Sequence, residues 1–318
     1  VTATDGLDQQ RHTGMPDVWV CRDRHVELDR PRVMGVVNLT PDSFHDGGKL
    51  VVDDLDAPNV SVAVRRCEQL VAAGADLLDL GGESTRPGAE TIGVERECAR
   101  VLPVLERLRD HGGLAGVPIS IDTRHAEVAR RALAAGAVIV NDVSGLADPD
   151  MARVVAAAGA GLVIGHLRGD PVTMQHGIRF ADLLGEIAAE LAEAVGRARA
   201  AGSTLAHVVV DPGIGFGKTA EQSAALVASA SWLRSATGCP VMIGASRKSF
   251  LSALIGGPGD PRRPADRLVG SLTAAVIAVE RGAAVIRVHD VRETVEALAV
   301  ARAVRLAFER ETNGRTAS

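Results

Sequence analysis

Eight short apolar runs between Val33 and Asp290 constrain this chain more than any other feature. They read VMGVV, ADLLDLG, VPISID, AVIVND, GLVIGH, AHVVVDPG, CPVMIGAS and AAVIRVHD. The runs are almost unbroken, which suits parallel strands covered on both faces better than the alternation of a half-exposed sheet. Between them lie Ala-, Leu-, Glu- and Arg-rich segments such as SVAVRRCEQLVAAG, EQSAALVASASWLRSATG and RLVGSLTAAVIAVERG. Many end in glycine, as helix C-termini often do.

Eight buried strands alternating with eight helices is the count of an α/β TIM (β/α)8 barrel. A doubly wound open sheet is the competing arrangement. It calls for a GxGxxG phosphate fingerprint after the first strand, and VVNLTPDSF is not one. Ahead of the first run, VWVCRDRHVELDR has two short extended stretches around a charged turn, the pattern of a hairpin. The expected organisation is a disordered tail over 1–15, one barrel domain over 16–310 and a C-terminal tail over 311–318.

Composition narrows the function. The 318 residues include 2% aromatics and no Tyr, so the core is built from Val, Leu, Ile and Ala, and no aromatic platform for stacking bases is expected. A net charge of -5 gives no basic field for a phosphate backbone, so a nucleic-acid partner is not expected. Four scattered cysteines without CxxC spacing fit reduced, buried thiols. No run approaches the ~18 apolar residues of a membrane span. A soluble, cytoplasmic protein is expected.

The polar residues fall at strand ends: Asn38, Asp79, Asp122, Asn141 with Asp142, His166, Asp211, the GASRK segment, and Arg287 with His289 and Asp290. In a barrel all these ends share one mouth, where active sites of this fold lie. Taken singly, Asp122 or Asn141 could cap the next helix. Together, Asp122, Asn141, Asp211 and Lys248 suit a flat heterocycle with a donor–acceptor edge, because a carboxylate accepts two parallel N–H bonds. In DPGIGFGK three glycines let backbone approach a ligand, and Phe216 could pack on that ligand or in the core. GASRKSFL is expected to start a helix near Ser246 whose N-terminus, with Ser, Arg and Lys, forms an anion site. Arg287 and His289, two apart on a strand, share a face. They could grip a phosphate or pyrophosphate, or make rim salt bridges. The loops NLTPDSFHDGG and GGESTRPGAE have the composition of mobile lids.

These motifs, in this order on successive strand ends, resemble the dihydropteroate synthase family over Val33 to Leu298. TPDSF and DPGIGFGKT carry the resemblance most specifically. The family joins 6-hydroxymethyl-7,8-dihydropterin pyrophosphate to 4-aminobenzoate and releases pyrophosphate. The resemblance implies a pterin site at Asp122, Asn141, Asp211 and Lys248, with Phe216 and Gly244 lining the slot. It implies pyrophosphate at Asn38, Arg287 and His289, with Mg2+ at Asn38. It implies 4-aminobenzoate at Phe44, Thr85, Arg86, Pro87 and Ser249, and places Asp46 where charge develops at the pterin methylene. Asp46, Lys248, Arg287 and His289 are the implied catalytic set. The resemblance also implies a homodimer and a sulfonamide target.

Three departures from the family pattern stand out. GHL replaces a common Met-His-Met, and Gly165 is expected to widen that side of the slot. Gln222–Ser223 replaces a His–Asn pair, and the lost Asn could loosen the loop after the sixth barrel strand or affect the residues behind the pterin pocket. His45 takes a position often given to a small residue. The alternatives left open are a paralogue using another amine, a pterin-binding methyltransferase, and a non-catalytic pterin-binding protein.

Overall fold

The computed structural model describes residues 17–40, 51–52, 57–84, 91–169, 174, 177–257, 259–260 and 262–316. The expected tail at 1–15 lies outside them. The chain begins with a hairpin of β1 (Val18–Cys21) and β2 (Arg24–Glu27), paired antiparallel. Then follow β3 (Arg32–Asn38), the small pair β4 (Val51–Val52) and β5 (Ala57–Pro58), α1 (Val60–Ala72), β6 (Leu77–Gly81), α2 (Val94–Arg109), β7 (Ile119–Asp122), α3 (Ala126–Ala135), β8 (Ile139–Asp142), α4 (Met151–Ala158) and β9 (Gly161–Gly165). The second half carries α5 (Leu183–Ala200), β10 (Val208–Asp211), α6 (Ala220–Val227), α7 (Ala230–Thr237), β11 (Met242–Ile243), α8 (Ser249–Gly256), α9 (Leu268–Glu280), β12 (Val285–Val288) and α10 (Val291–Thr316).

Eight strands form one parallel sheet in the order β10-β9-β8-β7-β6-β3-β12-β11. A parallel bridge between Val210 and Val241 joins its ends, and Val210 N donates to Pro240 O at 2.9 Å. The sheet is thereby closed into the expected barrel. Every apolar run became a barrel strand, because each is buried by helices outside and by its neighbours inside.

Three expectations need correcting at the level of elements. The segment EQSAALVASASWLRSATG is two helices, α6 and α7, not one. Ser229 turns back between them, its Oγ donating to Leu226 O at 2.8 Å, a side-chain competition that interrupts helices. The helix expected near Ser246 starts at Ser249, because Arg247 sits in the left-handed region at φ 59° and Lys248 is extended. Finally, α10 continues through Thr316, into the segment expected to be a tail.

The hairpin closes the bottom of the barrel. Trp19, Cys21 and Val26 pack with Met34, Leu77, Ile139, Val163, Val209, Met242 and Val285, the inward residues near the strand starts. Trp19 Nε1 donates to His207 O at 2.8 Å. The floor of the barrel is thus an apolar cluster, opposite the polar mouth.

Candidate active site

One pleat separates the apolar floor from the polar mouth. Residues two apart on a strand share a face. Above Leu77, Ile139, Val163, Val209, Met242 and Val285 of the inner cluster therefore stand Asp79, Asn141, Gly165, Asp211, Gly244 and Arg287. Over this layer opens a cavity of about 450 Å3, lined among others by Asn38, Asp122, Phe216, Lys248, Ser249 and His289. The strand-end residues implied by sequence thus converge. Phe44, Asp46, Thr85, Arg86 and Pro87, and the variant His45, lie outside the described residues.

Arg287 does not stand free toward the cavity. Its guanidinium lies across the mouth, with Nε donating to Asp79 Oδ2 and Nη2 to Asp122 Oδ2, each at 2.6 Å. Asp79 Oδ2 also accepts from Asn141 Nδ2 at 3.0 Å. Asn141 is buried and Asp211 half-buried in this layer. Gly244 lies between Asp211 and Arg287: a Cβ there would stand 3.7 Å from Asp211 Oδ2 and 3.8 Å from Arg287 Cβ. Such a Cβ fits sterically but fills the slot.

Burial raises the pKa of both Asp122 and Asp211; Arg287 opposes the rise at the first and Lys248 at the second. Burial pushes Lys248 down to about 8, against the pull of Asp211. Its ammonium lies 4.4 Å from the Phe216 ring centroid, a cation–π contact, and donates to Ile214 O. Phe216 is therefore a wall of the cavity and not a core residue.

The loop after β10 is held by its glycines and its far end. Gly213 has φ 68°, and a Cβ there would run into the His166 carbonyl oxygen. Asp211 Oδ1 accepts from Gly213 N at 2.7 Å, which orients the carboxylate. Lys218, buried, donates to His166 Nδ1 at 2.7 Å and to His166 O at 3.0 Å. That leaves His166 Nε2 to donate to Glu190 at 3.0 Å and defines the tautomer. The Gln222–Ser223 departure does not loosen this loop. Gln222 closes a capping box with Thr219 at the start of α6, and Ser223 Oγ accepts from Gly215 N at 3.3 Å.

The Gly165 expectation is corrected as well. A Cβ at Gly165 would lie 2.7 Å from Val143 Cα and 3.0 Å from Val143 O, because the loop after β8 folds in over the strand end. The room for a side chain is taken by backbone, so the slot is not widened. Overpacking of this kind costs about 1–3 kcal/mol. Gly165→Ala is expected to lower the urea midpoint accordingly, and wild-type stability in that variant would contradict the reading.

The anion site differs in detail from the sequence expectation. Arg247 lines the cavity but is held by Asp290, through Nε at 3.0 Å and Nη2 at 2.5 Å. Arg267 holds the same turn, donating to Arg247 O at 2.8 Å. His289 Nδ1 lies 3.2 Å from Ser246 Oγ, beside Lys248 and Arg287 at the cavity wall.

Glu83, Glu97 and His125 bring donor atoms within 4.8 Å of one another. Arg124 occupies both Glu83 oxygens, at 2.8 and 3.1 Å, and His125 Nδ1 sits 2.8 Å from Glu97. The group is a charge network of Glu83 with Arg124 and of Glu97 with His125. Asp79 and Lys218 were visible in the sequence but received no role there. The signal for Asp79 was a carboxylate inside the apolar run LLDLG.

A closed barrel with carboxylates, an amide and cations at its C-terminal mouth defines an enzyme that grips a flat, polar-edged, anion-bearing substrate. The profile of the family described as "Pterin binding enzyme" matches residues 34–289. The dihydropteroate synthase of Neisseria meningitidis serogroup B is 42% identical over 287 residues, covering 89% of this chain and 96% of the relative. Among solved structures, a Yersinia pestis dihydropteroate synthase with a sulfonamide drug complex superposes with TM-score 0.82 at 38% identity, covering 91% of this chain and 99% of that one. A Xanthomonas albilineans dihydropteroate synthase with 4-aminobenzoic acid gives 0.80 at 41% identity, covering 91% and 98%. The chain belongs to the dihydropteroate synthase family of pterin-binding enzymes.

Proposed function

We propose that the protein condenses 6-hydroxymethyl-7,8-dihydropterin pyrophosphate with 4-aminobenzoate, giving 7,8-dihydropteroate and pyrophosphate. The observation that carries this is one mouth with two chemistries. A recessed set of acceptors (Asp122, Asn141, Asp211) lies beside a rim of donors and cations (Lys248, His289, Arg287).

In this reading the pterin edge bonds to Asp211, Asn141 and Asp122, with the ring against Phe216 and Lys248 and in the space kept by Gly244. Pterin binding to Asp122 displaces Arg287 from that carboxylate. The freed guanidinium and His289 then face the diphosphate. The C–O bond to the pterin methylene breaks, the electron pair leaves with pyrophosphate, and the aminobenzoate nitrogen attacks the resulting cation. The ammonium formed loses its proton to solvent. An arylamine is already nucleophilic, so no strong base is required. Ser249, at the start of α8, lines the cavity on the side assigned to 4-aminobenzoate. The family resemblance assigns Phe44, Thr85, Arg86 and Pro87 to the same substrate and Asp46 to the developing charge.

The Mg2+ implied for this chemistry fits Asn38. Its amide oxygen is a hard donor at the end of β3, and Gly81 leaves the space between it and Asp122 unfilled. One protein oxygen suits an ion that takes its remaining ligands from phosphate and water. When bound, the ion neutralises the leaving group. Two copies of the chain would pair through α9 and α10. Val300, Val304 and Phe308 form an exposed stripe at helical spacing, with Val269 and Ile277 exposed on α9. Among the described residues no helix is long and apolar enough to cross a membrane.

The test is pyrophosphate release from the pterin pyrophosphate by the purified protein. Release is expected only with both Mg2+ and 4-aminobenzoate, and its absence with both present would sink the synthase reading. A panel of other arylamines run in the same assay identifies the acceptor.

A further inference from the structure

We propose that Asp79 is a positioning residue for this reaction, a buried carboxylate that anchors the pterin-side amide and the diphosphate-side guanidinium at once. The proposal rests on the reading above. One oxygen, Oδ2, accepts from Asn141 Nδ2 at 3.0 Å and from Arg287 Nε at 2.6 Å. Asp79 has no exposed surface, and its bonding oxygen is taken up by Asn141 and Arg287, so it acts on substrate through them. Its other oxygen makes no hydrogen bond among the described residues. All its bonding thus goes to two groups that the reaction uses.

The geometry gives the anchor a direction. Arg287 binds Asp79 through Nε and Asp122 through Nη2. A pterin edge that takes Asp122 releases only the Nη2 end. Asp79 keeps the Nε end, so the guanidinium pivots at the barrel mouth and stays there, with its terminal nitrogens turned to the side where His289 and Lys248 stand. The same carboxylate keeps the Asn141 amide from rotating, and so sets which of its atoms meets the ring. A carboxylate is suited to this because it only accepts, and both partners donate.

Asp79→Asn removes the charge and keeps the shape, and Asp79→Ser removes the charge without adding an amide donor. In either variant of the full chain, kcat/KM for the pterin pyrophosphate is expected to fall at least tenfold. The calorimetric Kd for phosphate-free 6-hydroxymethylpterin should rise, and KM for 4-aminobenzoate should hold within twofold. In an Arg287→Ala background, Asp79→Asn should lower kcat/KM by clearly less than it does in the parent, because half of its role is already gone. A variant that only lowers the melting temperature, with kinetic constants of the folded protein within twofold, would overturn the proposal. So would the same proportional loss in both backgrounds. If the unaltered protein releases no pyrophosphate, the synthase reading fails instead, and the pterin calorimetry still tests the Asn141 arm.

Discussion

Asp211→Asn should lower pterin affinity on the order of 100-fold while leaving the fold intact. The Asp211 carboxylate stands at the end of β10 and is aimed by one bond, Oδ1 accepting from Gly213 N at 2.7 Å. Its other oxygen faces the space kept by Gly244. Two charge-assisted hydrogen bonds to an amidine-like edge are each worth about 1.5 kcal/mol, together about 3 kcal/mol or two decades in Kd. An asparagine preserves the bond to Gly213 but turns an N–H group toward the ring's own donors. The same change removes the main attraction that holds the Lys248 ammonium charged against burial. Calorimetry with 6-hydroxymethylpterin checks the result, beside a melting curve. Unchanged affinity would remove Asp211 from the pterin site and leave Asp122 as the only carboxylate candidate there.

Trp19→Ala should lower stability by about 3–5 kcal/mol, the usual cost of emptying a buried Trp site. For a chain of this size that is a drop on the order of 10 °C in the melting midpoint. Trp19 is 1% exposed and is one of the largest side chains buried in the molecule. It packs against the lowest inward residues of the barrel strands and hydrogen-bonds His207 O at 2.8 Å. The hairpin that carries it is remote from the catalytic mouth, so kcat at 25 °C should change little. A melting midpoint equal to wild type would show that the hairpin decorates the barrel floor without sealing it.

Much of this architecture was legible in the chain because it is written locally. A barrel strand covered on both faces needs a continuous apolar run, and all eight runs are present in order. The polar residue that ends each run marks the C-terminal mouth, since a side chain there leaves the packed interior. The positions of Asp122, Asn141, Asp211 and Lys248 were legible for that reason. Some of the smaller devices were less so. Ser223 replaces a longer amide and still ties Gly215 N, because what the loop needs at that point is an acceptor. Gly165 looked like lost bulk in a slot, yet the loop after β8 occupies that room. No local pattern announces where a loop from the neighbouring strand will fold.

What the sequence by itself determined is the alternation of strand and helix, the mouth at which its polar residues gather, and the family of chemistry those residues serve. What only the tertiary structure decided is how those residues are spent on one another. Arg287 pairs with Asp79 across 208 positions of sequence and with Asp122 across 165. Neither pairing has a periodicity, a cap or a spacing to betray it. Closing the barrel brings the second, third and eighth strand ends within hydrogen-bond reach, and burial then requires each charge to find a partner among whatever closure has placed nearby. Local patterning selects the strands, and the closed ring selects the partners.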